Sequence, residues 1–329
     1  MVSHDTVHLA GEATDDMNVL VLDTFAHVYA ERLRREFPAL GVHTARTAAE
    51  IALPLQEVDV LITFGHMIND DLIARASRLG WIQSLATGVD HFLRCPELKA
   101  QTLLSSGRGI HGPPMQESVA YLMLALARNA PRLAQRQMAH QWDRGRPWPL
   151  LSGKTAAVVG VGVAGAAIGN LLKAFGMRLI GVSRTPRVIE GFDEAAHTDD
   201  LAAVAAHADY LVGILPSTPA NARVFDARVF AAMKATAFFV NAGRGETVDE
   251  PALIECLRAG RIAGAGLDVF QTEPLPPESP LWDLPNVIVT PHIGGYFAEY
   301  EQHVLPIVVD NMRAFLAGRH DAMQNLIPH

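Results

Sequence analysis

Residues 151–187, LSGKTAAVVGVGVAGAAIGNLLKAFGMRLIGVSRTPR, decide how this chain folds. Residues 155–159 form a short apolar run of the kind buried in a parallel sheet. Gly160, Gly162 and Gly165 follow as G-x-G-x-x-G, after which Ala164, Ile168, Leu171, Leu172 and Phe175 recur at helical spacing. Gly176 is a C-terminal stop, and residues 177–182 make a second strand. Strand, glycine turn, helix and strand form the context in which the glycine spacing carries meaning. Gly160 allows a tight turn, Gly162 lets a pyrophosphate approach the backbone, and Gly165 lets the helix pack closely on the strand. Val163 and Ala164 open that helix, whose free N–H groups suit phosphate oxygens. The stretch predicts a dinucleotide site.

The end of the second strand refines the prediction. About 20 residues past the glycines, a site for NAD places a carboxylate on the ribose hydroxyls. This chain carries Ser183, Arg184, Thr185, Pro186 and Arg187 there. No carboxylate repels a 2′-phosphate, and two guanidiniums stand ready to pair with one. The expected cofactor is NADP(H) in preference to NAD(H), with NAD(H) still usable.

The 329 residues suffice for two domains with their own cores, and 49% apolar with 19% charged residues is the profile of a folded globular chain. A net charge of −8 argues against a nucleic-acid partner, which needs a basic surface. Cys95 and Cys256 are too few for a disulfide framework, and the fourteen histidines are scattered without zinc-type spacing, so no metal site is expected. Residues 1–16 carry acids and no apolar run, which reads as a polar arm rather than a signal peptide. No membrane span is expected, and the compartment is taken as cytoplasmic.

From residue 18 onward, short apolar runs alternate with amphipathic segments: 19–22 before 24–37, 58–64 before 69–80, 81–87 before 88–93, then 103–106. Such alternation implies a parallel sheet with helices on both faces. This first unit has no glycine fingerprint and reads as a substrate or lid domain. GRGIHGPP, residues 107–114, is a punctuated linker and a domain boundary. The apolar helix over 118–135 is expected to kink at Pro131 and to be buried between domains or subunits. Trp142 and Trp148, in the loop after it, are expected to pack. Later strands end at Leu215 and Pro216, at Arg244, near Glu273 and at His292. The C-terminal edge of a parallel sheet is where such folds face their ligands. The last helix, over 298–318, is expected to return to the first unit.

A dinucleotide site with Arg, a carboxylate and His at neighbouring strand ends suggests hydride transfer to a carbonyl, with the proton supplied by the protein. His292 suits the acid/base, because an imidazole can give a proton to a forming alkoxide and recover it in reverse. Glu273 can accept the other ring N–H. Arg244 can bind a substrate carboxylate bidentately and polarise the adjacent carbonyl.

Three stretches resemble the D-isomer-specific 2-hydroxyacid dehydrogenase family, in its glyoxylate/hydroxypyruvate reductase-like branch: GVGVAGAAIGNLLKAFGMRLIGVSR, VNAGRGETVDEPALIECLRAGRIAGAGLDVFQTEPLPPESPLW and NVIVTPHIGG. The resemblance covers most of the chain after residue 80 and is dense from 107 to 296. It implies an α/β fold of two Rossmann-like, doubly wound parallel-sheet domains with a cleft between them. Residues 1–108 with 297–329 would form a flavodoxin-like substrate domain, and 109–296 the dinucleotide-binding domain. It further implies Arg244 as the substrate-carboxylate arginine, His292 as the acid/base and Glu273 as its partner. Leu215, Pro216, Ala242, Gly243 and Gly294 would line the cofactor, with Asp268 near the nicotinamide carboxamide. Thr87, Gly88 and Val89 would hold the substrate carboxylate through backbone N–H groups. A homodimer built on the nucleotide domain is also implied.

The chain departs from the family pattern in places. Ser183 and Arg184 replace the acidic residue of NAD-preferring members, and Gly295 and Tyr296 stand where many members carry a small hydroxyl residue. Glu273 argues against the formate dehydrogenase branch, which uses Gln. The expected reaction is NADPH-preferring reduction of small 2-keto acids such as glyoxylate or hydroxypyruvate to D-2-hydroxy acids. The alternatives are an NAD-linked dehydrogenase for a larger, phosphorylated or aromatic substrate, and a nucleotide-sensing scaffold like the co-repressors of this superfamily.

Overall fold

In the computed structural model, which describes residues 17–145 and 147–329, strands and helices alternate along the chain. The arm expected at 1–16 lies outside the described residues. The first elements are β1 Asn18–Leu22, α1 Ala26–Glu36, β2 Gly41–Ala45, β3 Val60–Thr63, α2 Asp70–Arg75, β4 Trp81–Ser84, α3 Asp90–Leu93 and β5 Leu103–Ser105. They build an all-parallel sheet in the order β2-β1-β3-β4-β5, the doubly wound order of flavodoxin-like folds. β3 and β4 are buried along their whole length, as parallel strands covered on both faces must be. β2 was not anticipated from the sequence. Its GVHTA alternates buried and partly open positions, which suits an edge strand and gives no continuous apolar run.

The second set comprises α4 Gly112–Ala127, α5 Ala130–Met138, β6 Thr155–Val159, α6 Val163–Ala174, β7 Arg178–Ser183, β8 Glu194–His197, α7 Leu201–His207, β9 Tyr210–Gly213, α8 Ala227–Ala232, β10 Phe238–Asn241, α9 Glu250–Arg258, β11 Gly264–Leu267 and β12 Val287–Val289. Its seven parallel strands run β12-β11-β10-β9-β6-β7-β8. The winding reverses between β6 and β9, and such a switch point opens a crevice beyond the strand ends. β8, whose EAAH is only partly buried at the sheet edge, also escaped the sequence reading.

The apolar stretch after the linker corrects one expectation. It is not one helix kinked at Pro131. The chain breaks at Asn129, in the left-handed region at φ 48°, and Asn129 then caps α5 by accepting the Arg132 N–H. Pro131 falls in the first turn of α5, where a missing N–H costs nothing. α4 packs on α6 and over β10, β11 and β12, so much of its apolar surface is used within its own unit. Trp148 lines a surface recess of about 260 Å³ with Leu126, Pro131 and Phe238. Trp142, expected to pack, is 91% exposed.

α10 Tyr300–Leu316 belongs with the first sheet. A buried polar chain ties it there: Trp81 Nε1 donates to Ser105 Oγ, Ser105 Oγ to Gln83 Oε1, and Asn311 Nδ2 of α10 donates to that same oxygen at 2.8 Å. Tyr300 Oη donates to the Leu85 carbonyl at 2.7 Å. Buried polar groups satisfied in this way fix one register for the helix. The chain thus divides into two units, one running to Ile110 and resuming over Ala298–His329, the other His111–Phe297. The division falls inside GRGIHGPP.

Candidate active site

The glycine turn lies at the switch point of the seven-stranded sheet. Gly160 has φ 104°, and a Cβ there would stand 2.5 Å from the Ile214 carbonyl oxygen, just past β9. A Cβ on Gly165 would stand 2.0 Å from the Gly160 oxygen. Only glycine allows both approaches. Gly162 differs, because a Cβ on it would meet nothing within 4 Å, and no side chain caps α6. A helix N-terminus opening onto unfilled space is a ready anion site, so this turn fits the pyrophosphate of a dinucleotide. Val163 is 57% exposed beside it, and Ala164 is half-buried.

β7 ends at Ser183, whose hydroxyl donates to the Thr185 carbonyl, and Arg184, Thr185 and Arg187 are all exposed. Leu215 is buried and Pro216 exposed at the end of β9. Ala242 and Gly243 are buried at the end of β10, where a Cβ on Gly243 would press on the Leu215 backbone.

Arg244, Glu273 and His292 come together beyond β10, β11 and β12, which are adjacent in the sheet. His292 Nδ1 lies 2.6 Å from Glu273 Oε2, while Glu273 Oε1 accepts the Phe270 N–H at 3.0 Å. Burial pushes the Glu273 carboxyl up. The His292 hydrogen bond, the Phe270 N–H and the charges of His292 and Arg244 outweigh that and leave its pKa below the ordinary carboxylate value. A carboxylate can only accept, so His292 Nδ1 carries a proton and Nε2 is left for a ligand. Arg244 Nη1 donates to the Gly243 carbonyl at 2.8 Å.

His292 itself has φ 54°, an unusual conformation for a residue with a Cβ. Asp268 holds it there. The Asp268 carbonyl accepts the His292 N–H at 2.8 Å, and its carboxylate accepts from Thr290 Oγ1 at 2.5 Å, Ile293 N at 3.0 Å and Gly294 N at 2.8 Å. The buried Asp268 carboxylate thus braces the loop that carries the histidine. Thr290 and His111 were missed in the sequence. His111 sat inside the presumed linker, although an imidazole in the N-cap position of a helix is an unusual choice and a usable signal.

Thr87, Gly88 and Val89 lie in the first unit, between β4 and α3, with Thr87 exposed and Val89 buried. Ser84 Oγ braces this loop by hydrogen bonds to the Ala86 and Gly88 carbonyls. Among the described residues, no group of three or more His, Cys, Asp or Glu could hold a metal ion, and no helix is long and apolar enough to cross a membrane.

A seven-stranded dinucleotide fold with Arg, Glu and His on adjacent strand ends defines an NAD(P)-dependent oxidoreductase acting on a CH–OH group. The chain belongs to the D-isomer specific 2-hydroxyacid dehydrogenase family, matching its NAD binding domain over residues 120–294 and its catalytic domain over residues 19–92. It is 31% identical over 313 residues to glyoxylate/hydroxypyruvate reductase B of Escherichia fergusonii, covering 92% of this chain and 96% of that one. Among solved structures, it resembles a D-isomer specific 2-hydroxyacid dehydrogenase family protein from Aeromonas salmonicida, with TM-score 0.86, 33% identity, and 95% and 99% of the two chains covered. It also resembles the NADPH-dependent glyoxylate/hydroxypyruvate reductase of Sinorhizobium meliloti in complex with NADP and sulfate, with TM-score 0.81, 32% identity, and 94% and 98% covered.

Proposed function

We propose that this chain is an NADPH-preferring reductase of small 2-keto acids such as glyoxylate and hydroxypyruvate, giving the D-2-hydroxy acid. The Glu273–His292 pair, with Arg244 close enough to act on the same carboxylate, is the observation that carries the reading. When bound, the nicotinamide dinucleotide supplies the hydride that adds to the carbonyl carbon. His292 Nε2 holds the proton that passes to the carbonyl oxygen, and Glu273 keeps the ring in the right tautomer and steadies its charged form. Arg244 binds the substrate carboxylate through its planar fork. Gly160, Gly162 and Gly165 with the start of α6 would hold the pyrophosphate.

Arg184 and Arg187 support the preference for a 2′-phosphate, as does the NADP complex of the Sinorhizobium meliloti relative. Exposed Tyr121, Leu124, Leu133, Met138 and Trp142 around α4 and α5 support a homodimer formed through the second unit. A steady-state panel of 2-keto acids against NADPH and NADH tests the activity. Turnover of glyoxylate or hydroxypyruvate with NADPH favoured is expected. Consumption of neither cofactor with any 2-keto acid would end the reading.

A further inference from the structure

One polar side chain near His292 has no role in the chemistry above. His111 occupies the N-cap position of α4, where helices usually carry Ser, Thr, Asp or Asn to accept first-turn N–H groups. Its imidazole makes no such cap. The ring lies instead over Gly295, the third residue after His292: a Cβ on Gly295 would stand 2.9 Å from His111 Cδ2 and 3.7 Å from Nε2. Met115, one turn further along α4, brings its sulfur to 3.6 and 3.8 Å from the corresponding Cβ positions of Gly294 and Gly295. Ser118 Oγ donates to the Gly294 carbonyl at 3.0 Å. The first two turns of α4 are thus fitted to the His292 loop, and His111 is also near enough to Arg244 to feel its charge.

Chemistry narrows what this ring can do. Arg244 only donates, and the Glu273 carboxylate only accepts and is engaged by His292. Arg244 is committed to the substrate carboxylate and Glu273 to His292, so neither is the natural partner of a further hydroxyl on the substrate. A neutral imidazole has one nitrogen that donates and one that accepts, and a hydroxyl can pair with either. Burial, helped by the Arg244 charge, pushes the His111 pKa down to about 4, so the ring is neutral at working pH and does not compete for the substrate carboxylate. Hydroxypyruvate is so short that a group flanking both Arg244 and the His292 loop lies within reach of the carbon beyond the carbonyl.

We propose that His111 is a specificity-determining residue that makes a hydrogen bond to a hydroxyl on the carbon next to the substrate carbonyl, so that the site favours 3-hydroxy-2-keto acids over their deoxy counterparts. The inference rests on the reading of the chain as a 2-keto acid reductase. A buried site built to pair a hydroxyl rejects the analogue that lacks it far more strongly than an apolar pocket does. The unaltered enzyme should therefore show kcat/KM at least about tenfold higher for hydroxypyruvate than for pyruvate. In His111→Phe, the ratio of kcat/KM for hydroxypyruvate to that for glyoxylate should fall about 10- to 100-fold, and His111→Gln should restore part of it.

Pyruvate turned over as well as hydroxypyruvate by the unaltered enzyme overturns the proposal without any variant. So does an equal fall with both substrates in His111→Phe, the mark of a merely structural role, or a hydroxypyruvate-to-glyoxylate ratio that does not move. Failure of the unaltered enzyme to reduce any 2-keto acid is a different outcome, which removes the functional reading and this inference with it.

Discussion

The two units share a doubly wound parallel sheet, yet their switch points are finished in opposite ways. In the second unit the turn after β6 ends in Gly162, which leaves open space before the first N–H groups of α6. In the first unit the turn after β1 ends in Asp23, whose buried carboxylate bends back onto the Thr24 and Phe25 N–H groups at the start of α1. There a carboxylate of the chain itself occupies the N–H groups of the turn that leads into the helix. Winding order makes the crevice, but a single residue at the turn decides whether an anionic ligand can enter it. That is why one sheet reads as a nucleotide site and the other does not.

Four experiments would break or sharpen the contrast. The largest effect is expected from His292→Ala, which removes the proposed proton donor of the second unit. Its kcat should fall roughly 10²- to 10⁴-fold while NADPH still binds, measured by stopped-flow turnover and by fluorescence titration. Next comes Gly162→Asp, which gives the second unit the stopper of the first. A Cβ at this position meets nothing within 4 Å, so folding should survive by circular dichroism. NADPH affinity should weaken about a hundredfold, because like charges brought together cost several kcal/mol. If affinity holds, the comparison of the two turns is wrong.

Arg184→Ala should raise the KM for NADPH roughly 10- to 100-fold, the worth of one charge-assisted hydrogen bond, with little change for NADH. Equal changes for both cofactors would place the 2′-phosphate elsewhere. The smallest effect is expected from Asp23→Asn. Burial raises the Asp23 pKa in the folded chain, with the Glu301 charge adding to it and the neighbouring N–H groups opposing it. The folded state then holds that proton more tightly than the unfolded one, so parent stability gains as pH falls toward the raised pKa and loses as pH rises through it. Asn should accordingly stabilise the chain at neutral pH by about 1 kcal/mol or less, and the gain should shrink on acidification in urea titrations.

Much of this was legible in the sequence, for stateable reasons. The β6–α6 turn was readable because Gly160 and Gly165 are each forced by a different close contact, and Gly162 completes the spacing between a strand and a helix. The pairing of Glu273 with His292 was readable because consecutive parallel strands must end on the same sheet edge. β2 and β8 were not, since edge strands need only half a buried face and show no continuous apolar run. The break at Asn129 was hidden because Pro131 suits a kink and a helix start equally well. Asp268 could not be read as the clamp of the His292 loop, because its three donors lie 22 to 26 residues later. Nor could His111 be placed, because nothing local says that the start of α4 lies against Gly295.

The polar chain that fastens α10 has a consequence for how the protein is made. The second unit is one continuous length of polypeptide, whereas the first is written in two pieces with the second unit inserted between them. Gln83 leaves the ribosome 228 residues before the Asn311 that completes its hydrogen bonding. At roughly 5–20 residues per second, that is a wait of about ten to forty-five seconds. Through that interval the nascent five-stranded sheet lacks its closing helix, with an unfinished polar core and an uncovered apolar face, while the inserted unit has everything it needs to fold. The nucleotide unit should therefore mature first, and the early sheet should be the part of the newborn chain most in need of a chaperone.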